Sequence, residues 1–160
     1  MITDKDCLDK WGEPKNDAKW QSKIMTLWYA DTTLINNELL EYKESTLPSK
    51  IFMNKLLVDP FTKVIKQLIK EDLLGLIKTW DGCFFIRKMK VIKNGKITFS
   101  NRYSLHSWGV ALDIDASWNQ LGNCKPKLDR RIVKVFQDNG FDWGGDFKSC
   151  DGMHFQLKEI

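Results

Sequence analysis

Between Phe61 and Ile69 the apolar residues Phe61, Val64, Ile65, Leu68 and Ile69 recur at steps of three and four. That is the period of one face of an α-helix. Asp59 offers an N-cap and Pro60 suits a first helical position, so the pattern predicts a helix over 60–72 whose apolar stripe packs on a sheet. A second helix is expected over 129–138, where Ile132, Val133, Val135 and Phe136 form the apolar face and Asn139-Gly140 closes it. Residues 83–91 (CFFIRKMKV) read as a strand, Asn94-Gly95 as a hairpin turn and 97–99 as the return strand. Residues 109–114 (GVALDI) alternate as a half-buried strand does, and 153–157 (MHFQL) read as the last strand. Before residue 50 the pattern is weaker, with one short helix near 20–28 and turns at Gly12-Glu13-Pro14 and around 45–49. Helices mixed with antiparallel strands predict an α+β fold.

The chain has 160 residues, which predicts one domain spanning 1–160, large enough to bury a core. No stretch approaches the ~18 apolar residues a membrane helix requires. The N-terminus, MITDKDCLDKWGEPK, is polar from its start and lacks the apolar centre of a signal peptide. The expectation is a chain made in the cytoplasm and not inserted in a membrane. A net charge of +4 is too mild to argue for nucleic acid, and no interleaved arginine and aromatic pattern supports it. Such a charge favours any polyanion, a bacterial cell wall included, although a solvated lysine-rich surface is the simpler reading. Cys7, Cys83, Cys124 and Cys150 form no C-x-x-C pair, which excludes a zinc ribbon and leaves an expectation of free, mostly buried thiols.

Only two histidines occur. His106 stands in Ser104-Leu-His106-Ser-Trp-Gly109-Val-Ala111-Leu-Asp113, and His154 in Asp151-Gly-Met-His154-Phe155. A catalytic zinc site takes three protein ligands and keeps one position open, and imidazole with carboxylate suits that metal. A turn at Gly109 could bring His106 and Asp113 to one point, with His154 added from a separate strand. Asp151, three residues before His154, could then take a proton from an attacking water. The alternative is that these are ordinary polar residues satisfied by hydrogen bonds. The helical H-E-x-x-H motif is absent.

Ser104-x-His106-x-x-Gly109-x-Ala111-x-Asp113, followed by Asp151-x-x-His154-Phe155, resembles the zinc D-alanyl-D-alanine peptidase family. That family includes D-Ala-D-Ala carboxypeptidases and dipeptidases, and phage endolysins that cut the L-alanyl–D-glutamate bond of peptidoglycan. Residues 81–87 (DGCFFIR) and 140–146 (GFDWGGD), and Asn54-Lys55 with Leu57, are similar to it too. The resemblance covers about 50–160 and leaves 1–50 as an N-terminal helical and loop extension. It implies the fold shared with the Hedgehog signalling domain, a small antiparallel sheet holding Zn2+ in a groove on one face with helices on the other. It implies His106, Asp113 and His154 as metal ligands and Asp151 as general base. Arg87 aligns with an arginine that binds or polarises the substrate carbonyl; a strand-surface arginine is the alternative. Ser104 is expected to support the site by hydrogen bonding, because no histidine is left to activate it as a nucleophile. Asp115, two residues beyond Asp113 on the strand, is expected on the same face as a supporting or competing carboxylate. Trp108 and Trp143 flank the motifs and are candidates for the cleft wall, whereas Trp20, Trp28 and Trp80 are expected in the core.

These expectations converge on a monomeric zinc metallopeptidase that hydrolyses peptidoglycan stem peptides and contacts no nucleic acid. Its form suggests an endolysin that reaches the wall after release from the cytoplasm and cuts at L-Ala–D-Glu. A D-alanyl-D-alanine carboxypeptidase is the first alternative. A non-catalytic zinc-stabilised binding module is the second, and Asp151 argues against it because a binder has no use for a base there.

Overall fold

The structure, a computed structural model, describes residues 1–35 and 37–160. It is an α+β fold with six helices and eight strands among the described residues. The helices are α1 (Asp4–Trp11), α2 (Ala18–Ile24), α3 (Ala30–Thr33), α4 (Asn37–Lys43), α5 (Val58–Lys70) and α6 (Arg130–Asp138). The strands are β1 (Met25–Tyr29), β2 (Lys50–Asn54), β3 (Trp80–Gly82), β4 (Lys88–Lys93), β5 (Lys96–Tyr103), β6 (Ala111–Ile114), β7 (Phe141–Trp143) and β8 (His154–Leu157). A central antiparallel sheet runs β3-β6-β8-β7, and β1-β2 and β4-β5 form two separate ribbons.

Helix α5 buries Phe61, Val64, Ile65, Leu68 and Ile69, the stripe its spacing predicts. Its start differs. Asp59 and Pro60 lie inside the first turn, because a 3-10 turn over Lys55–Leu57 runs straight into the helix. The Asn54 side chain caps that turn by accepting from Leu56 N–H at 3.0 Å. Pro60 costs nothing there, since the first-turn N–H groups have no partner within the helix. Helix α6 begins as expected, with the Asp129 carboxylate accepting from Arg131 N–H at 2.9 Å.

Residues 83–91 do not form one strand. The central sheet ends at Gly82 and the hairpin begins at Lys88. The segment between is pinned to the turn over Leu105–Trp108: Phe85 N–H donates to the His106 carbonyl (3.1 Å) and Arg87 N–H to Ser107 Oγ (3.1 Å). The expected helix near 20–28 stops at Ile24, after which β1 pairs with β2 from Met25↔Asn54 to Tyr29↔Lys50.

Register explains the placement of the site. Asp113 lies directly opposite His154, and Leu112 opposite Phe155. Opposed side chains share a face and successive ones alternate. Asp113 and His154 therefore occupy one face of the sheet and Leu112 and Phe155 the other. Phe155 is fully buried and stacks on Phe136 of α6 at 4.1 Å between ring centroids, so α6 covers the face away from the site.

Candidate active site

Three ligand-type atoms meet on the open face of the sheet. His106 Nε2 lies 3.2 Å from His154 Nδ1 and 3.2 Å from Asp113 Oδ1, and His154 Nδ1 lies 3.1 Å from Asp113 Oδ1. His106 arrives on the Leu105–Trp108 turn, which Gly109 ends at φ 65° in the left-handed region. A Cβ at Gly109 would press on the backbone N of Asn54 at 2.9 Å, so glycine meets both needs there.

The ring tautomers follow from their outer partners. His106 Nδ1 faces the Cys83 carbonyl at 3.0 Å and must donate to it. His154 Nε2 faces Gln156 Oε1 at 3.3 Å, and Gln156 commits its amide N–H to the Ile2 carbonyl at 3.2 Å. The remaining ring nitrogens therefore present lone pairs, and with Asp113 Oδ1 they make a triangle of three acceptors. Such a triangle is stable only around a shared proton or a cation. Zinc bonds of about 2.0–2.2 Å at tetrahedral angles set neighbouring ligand atoms roughly 3.3–3.5 Å apart, close to the spacing seen. The donor set fits the metal, and its outer hydrogen bonds are those that orient metal-binding imidazoles.

Without a metal, protons take its place on the inward ring nitrogens: burial alone would raise the Asp113 carboxyl, but the charge of a protonated His106 and hydrogen bonds from the protonated imidazoles outweigh it and hold the group well below the ordinary carboxylate range. For His154 burial works downward, and the Asp113 hydrogen bond and charge carry the ring above its usual value.

Asp151 sits beside this triangle. Its Oδ1 is buried and has no hydrogen-bond partner among the described residues, and burial raises its carboxyl above the usual value, with the charge of His154 pulling the other way. Gly144 makes the position possible: its carbonyl accepts from Asp151 N–H at 2.7 Å, and a Cβ on it would strike the Asp151 carbonyl. Arg87, Ser104, Asp151 and His154 border one cleft of about 300 Å³, together with Lys90, Phe147 and Lys148. Arg87 is held by its backbone to Ser107, and its guanidinium donates to the Lys88 carbonyl at 3.3 Å. Ser104 is buried and joins the same segment by donating its N–H to the Arg87 carbonyl.

Four expectations are corrected. Asp115 does not share the face of Asp113. It leaves the strand at φ 50°, which breaks the alternation, and its Oδ1 accepts from the N–H groups of Lys78 and Thr79. Trp108 and Trp143 do not wall the cleft of Asp151 and His154; both are buried, with their indole N–H groups bonded to the Gly12 and Gly152 carbonyls. Trp28 is buried as expected, while Trp20 and Trp80 are half-buried at the core's edge. Of the four cysteines, only Cys7 and Cys83 are free and buried, the Cys7 thiol pushed up to about 12 by burial. Cys124 and Cys150 form a disulfide.

That disulfide ties the segment after β6 to the loop carrying Asp151. Gly122 N–H donates to the Cys150 carbonyl and Met153 N–H to the Asn119 carbonyl, so the two loops are also hydrogen-bonded. Cys150→Ser is expected to cost about 2–4 kcal/mol of stability, read by denaturant titration, and to lower hydrolysis by loosening Asp151.

Gln156, Ser107 and the Cys83 carbonyl are the contributors that motif reasoning passes over. Gln156 was within reach, since residues two apart on a strand share a face and His154 is its neighbour in that sense. Gln156→Leu is expected to weaken zinc about 10–100-fold, measured by competition with a chelator, with the fold intact.

Residues 98–157 match the model of a family described as D-alanyl-D-alanine carboxypeptidase. The match spans less than half of the chain and supports a peptidase. His106, Asp113, Asp151 and His154 fall inside it and Arg87 outside. No curated protein and no solved structure matches the chain. No helix among the described residues is long and apolar enough to cross a membrane.

Proposed function

We propose that this chain is a zinc metallopeptidase that hydrolyses peptidoglycan stem peptides, with His106, Asp113 and His154 holding the metal and Asp151 acting as base. The observation that carries the reading is the triangle of three acceptor atoms with an unpartnered buried carboxylate oxygen beside it. Zinc held there supplies a Lewis acid that lowers the pKa of water to roughly 7.

The chain's own residues do the rest. Asp151 Oδ1 has no competing hydrogen bond and accepts the proton of the attacking water. The water oxygen bonds to the carbonyl carbon, the carbon–nitrogen bond breaks, and Asp151 returns the proton to the leaving amine. Arg87 presents a guanidinium to the oxygen on which negative charge develops. The cleft is bordered by three cations, Arg87, Lys90 and Lys148, which suits a stem peptide with carboxylates along its length.

For the bond cut we propose L-Ala–D-Glu, in an endolysin-like role, with the chain acting as one monomeric domain. Release of terminal D-alanine is the second reading, favoured by the description of the matched family. Mass spectrometry of digested peptidoglycan separates them. New amino termini at D-Glu that disappear with chelator support the endopeptidase. Free D-Ala supports the carboxypeptidase. Absence of both products, with zinc bound, overturns the enzymatic reading in favour of a zinc-stabilised binding module.

A further inference from the structure

Apart from Lys90, which borders the cleft, the β4–β5 hairpin carries a surface that the peptidase reading does not use. From Gly82 to Leu112 the chain holds six cations, Arg87, Lys88, Lys90, Lys93, Lys96 and Arg102, and no carboxylate. Outside this stretch acids outnumber lysines and arginines, so the positive charge of the chain is concentrated here. Asp4 pairs with Arg102 at 2.6 Å. Lys88 Nζ lies 3.4 Å over the Tyr103 ring. Among the described residues none of Lys88, Lys90, Lys93 and Lys96 has a carboxylate within ion-pair reach.

Apolar side chains stand uncovered among these lysines. Ile97 is 58% exposed and Phe99 61%, and Ile92 is 39% exposed. Among the described residues the two strands pair only with each other. Ile92 lies opposite Ile97 and Lys90 opposite Phe99, so these four side chains share one face, with Lys93 and Lys96 paired at the turn. A hydrophilic polyanion gains from the lysines and nothing from Ile97 and Phe99. A lipid surface uses both: phosphate headgroups meet the ammonium groups, and the apolar side chains enter the boundary below them.

We propose that the tip of the β4–β5 hairpin docks the protein on an anionic lipid surface, with Ile97 and Phe99 entering the interface from one face and Lys93 and Lys96, paired at the turn on the alternate face, reaching the headgroups from its edge. Met89, Lys90 and Val91 of the same hairpin border the active cleft, so docking brings that cleft close to the lipid.

Flotation of the full chain with vesicles tests this. Binding is expected to phosphatidylcholine vesicles containing about 30% phosphatidylglycerol, not to phosphatidylcholine alone, and is expected to weaken as salt rises from ~0.1 to ~0.5 M. Lys93→Glu/Lys96→Glu is expected to weaken it about 10-fold or more. Ile97→Ser/Phe99→Ser is expected to weaken it about 5–10-fold, and because these side chains are exposed both variants keep the far-UV circular dichroism of the wild type. No binding to the anionic vesicles overturns the proposal, as does binding unchanged by the charge reversal. Equal affinity for soluble polyphosphate, with no effect of the serine pair, also overturns it and makes a hydrophilic polyanion the partner.

Discussion

Asp151→Ala is expected to lower kcat by about 10²–10⁴-fold while zinc stays bound. The carboxylate touches none of the three ligand atoms within hydrogen-bond distance, so its loss leaves the triangle in place. Its burial also has a cost. A carboxyl raised in the folded chain contributes stability below its unfolded pKa, and that contribution is lost as pH rises through the folded value. At neutral pH the ionised Asp151 therefore destabilises the metal-free fold. Metal-free Asp151→Asn is expected to melt a few degrees above metal-free wild type at neutral pH, with the gap closing in acid. Loss of zinc together with kcat, or an unchanged kcat, would show that Asp151 is not the base.

Asp113→Ala is expected to have the opposite signature. It removes one corner of the triangle, so zinc affinity falls by roughly 10³-fold or more and hydrolysis disappears with it. In the metal-free chain the same carboxylate is held by two imidazoles, below its ordinary range. Its contribution is present above the unfolded carboxylate pKa and is lost as pH falls through the folded value. Metal-free Asp113→Ala should therefore melt below wild type at neutral pH. Chelator competition and a thermal scan on the same samples distinguish this from Asp151→Ala.

Much of this site is visible in the amino-acid sequence. With two histidines in the chain and a strand pattern at 109–114 and 153–157, a meeting of His106, Asp113 and His154 is one open possibility, and the resemblance of the motifs around them names the three as a set. The face shared by Asp113 and His154 comes from the strand register. The helices at 58–70 and 130–138 declare themselves by period; the first is expected over 60–72, and its start escapes because a 3-10 turn leaves no apolar signature, while its end comes two residues earlier than expected. What fixes the histidine tautomers is harder to see. A backbone carbonyl such as that of Cys83 has no residue code, and the Gln156–Ile2 contact joins opposite ends of the chain. Asp115 misleads because alternation holds only while φ stays extended. The Cys124–Cys150 pairing depends on how two loops fold back, which spacing does not encode. Residues 1–50 look like an extension, yet Ile2, Gly12 and Met25 contact Gln156, Trp108 and β2 respectively.

The most direct test is a zinc titration of the metal-free full chain, with peptidoglycan hydrolysis followed on the same samples. One zinc per chain is expected, with hydrolysis returning in proportion to the zinc bound and neither effect in His106→Ala. Hydrolysis that survives complete chelation, or zinc bound equally well by His106→Ala, would overturn the zinc peptidase reading.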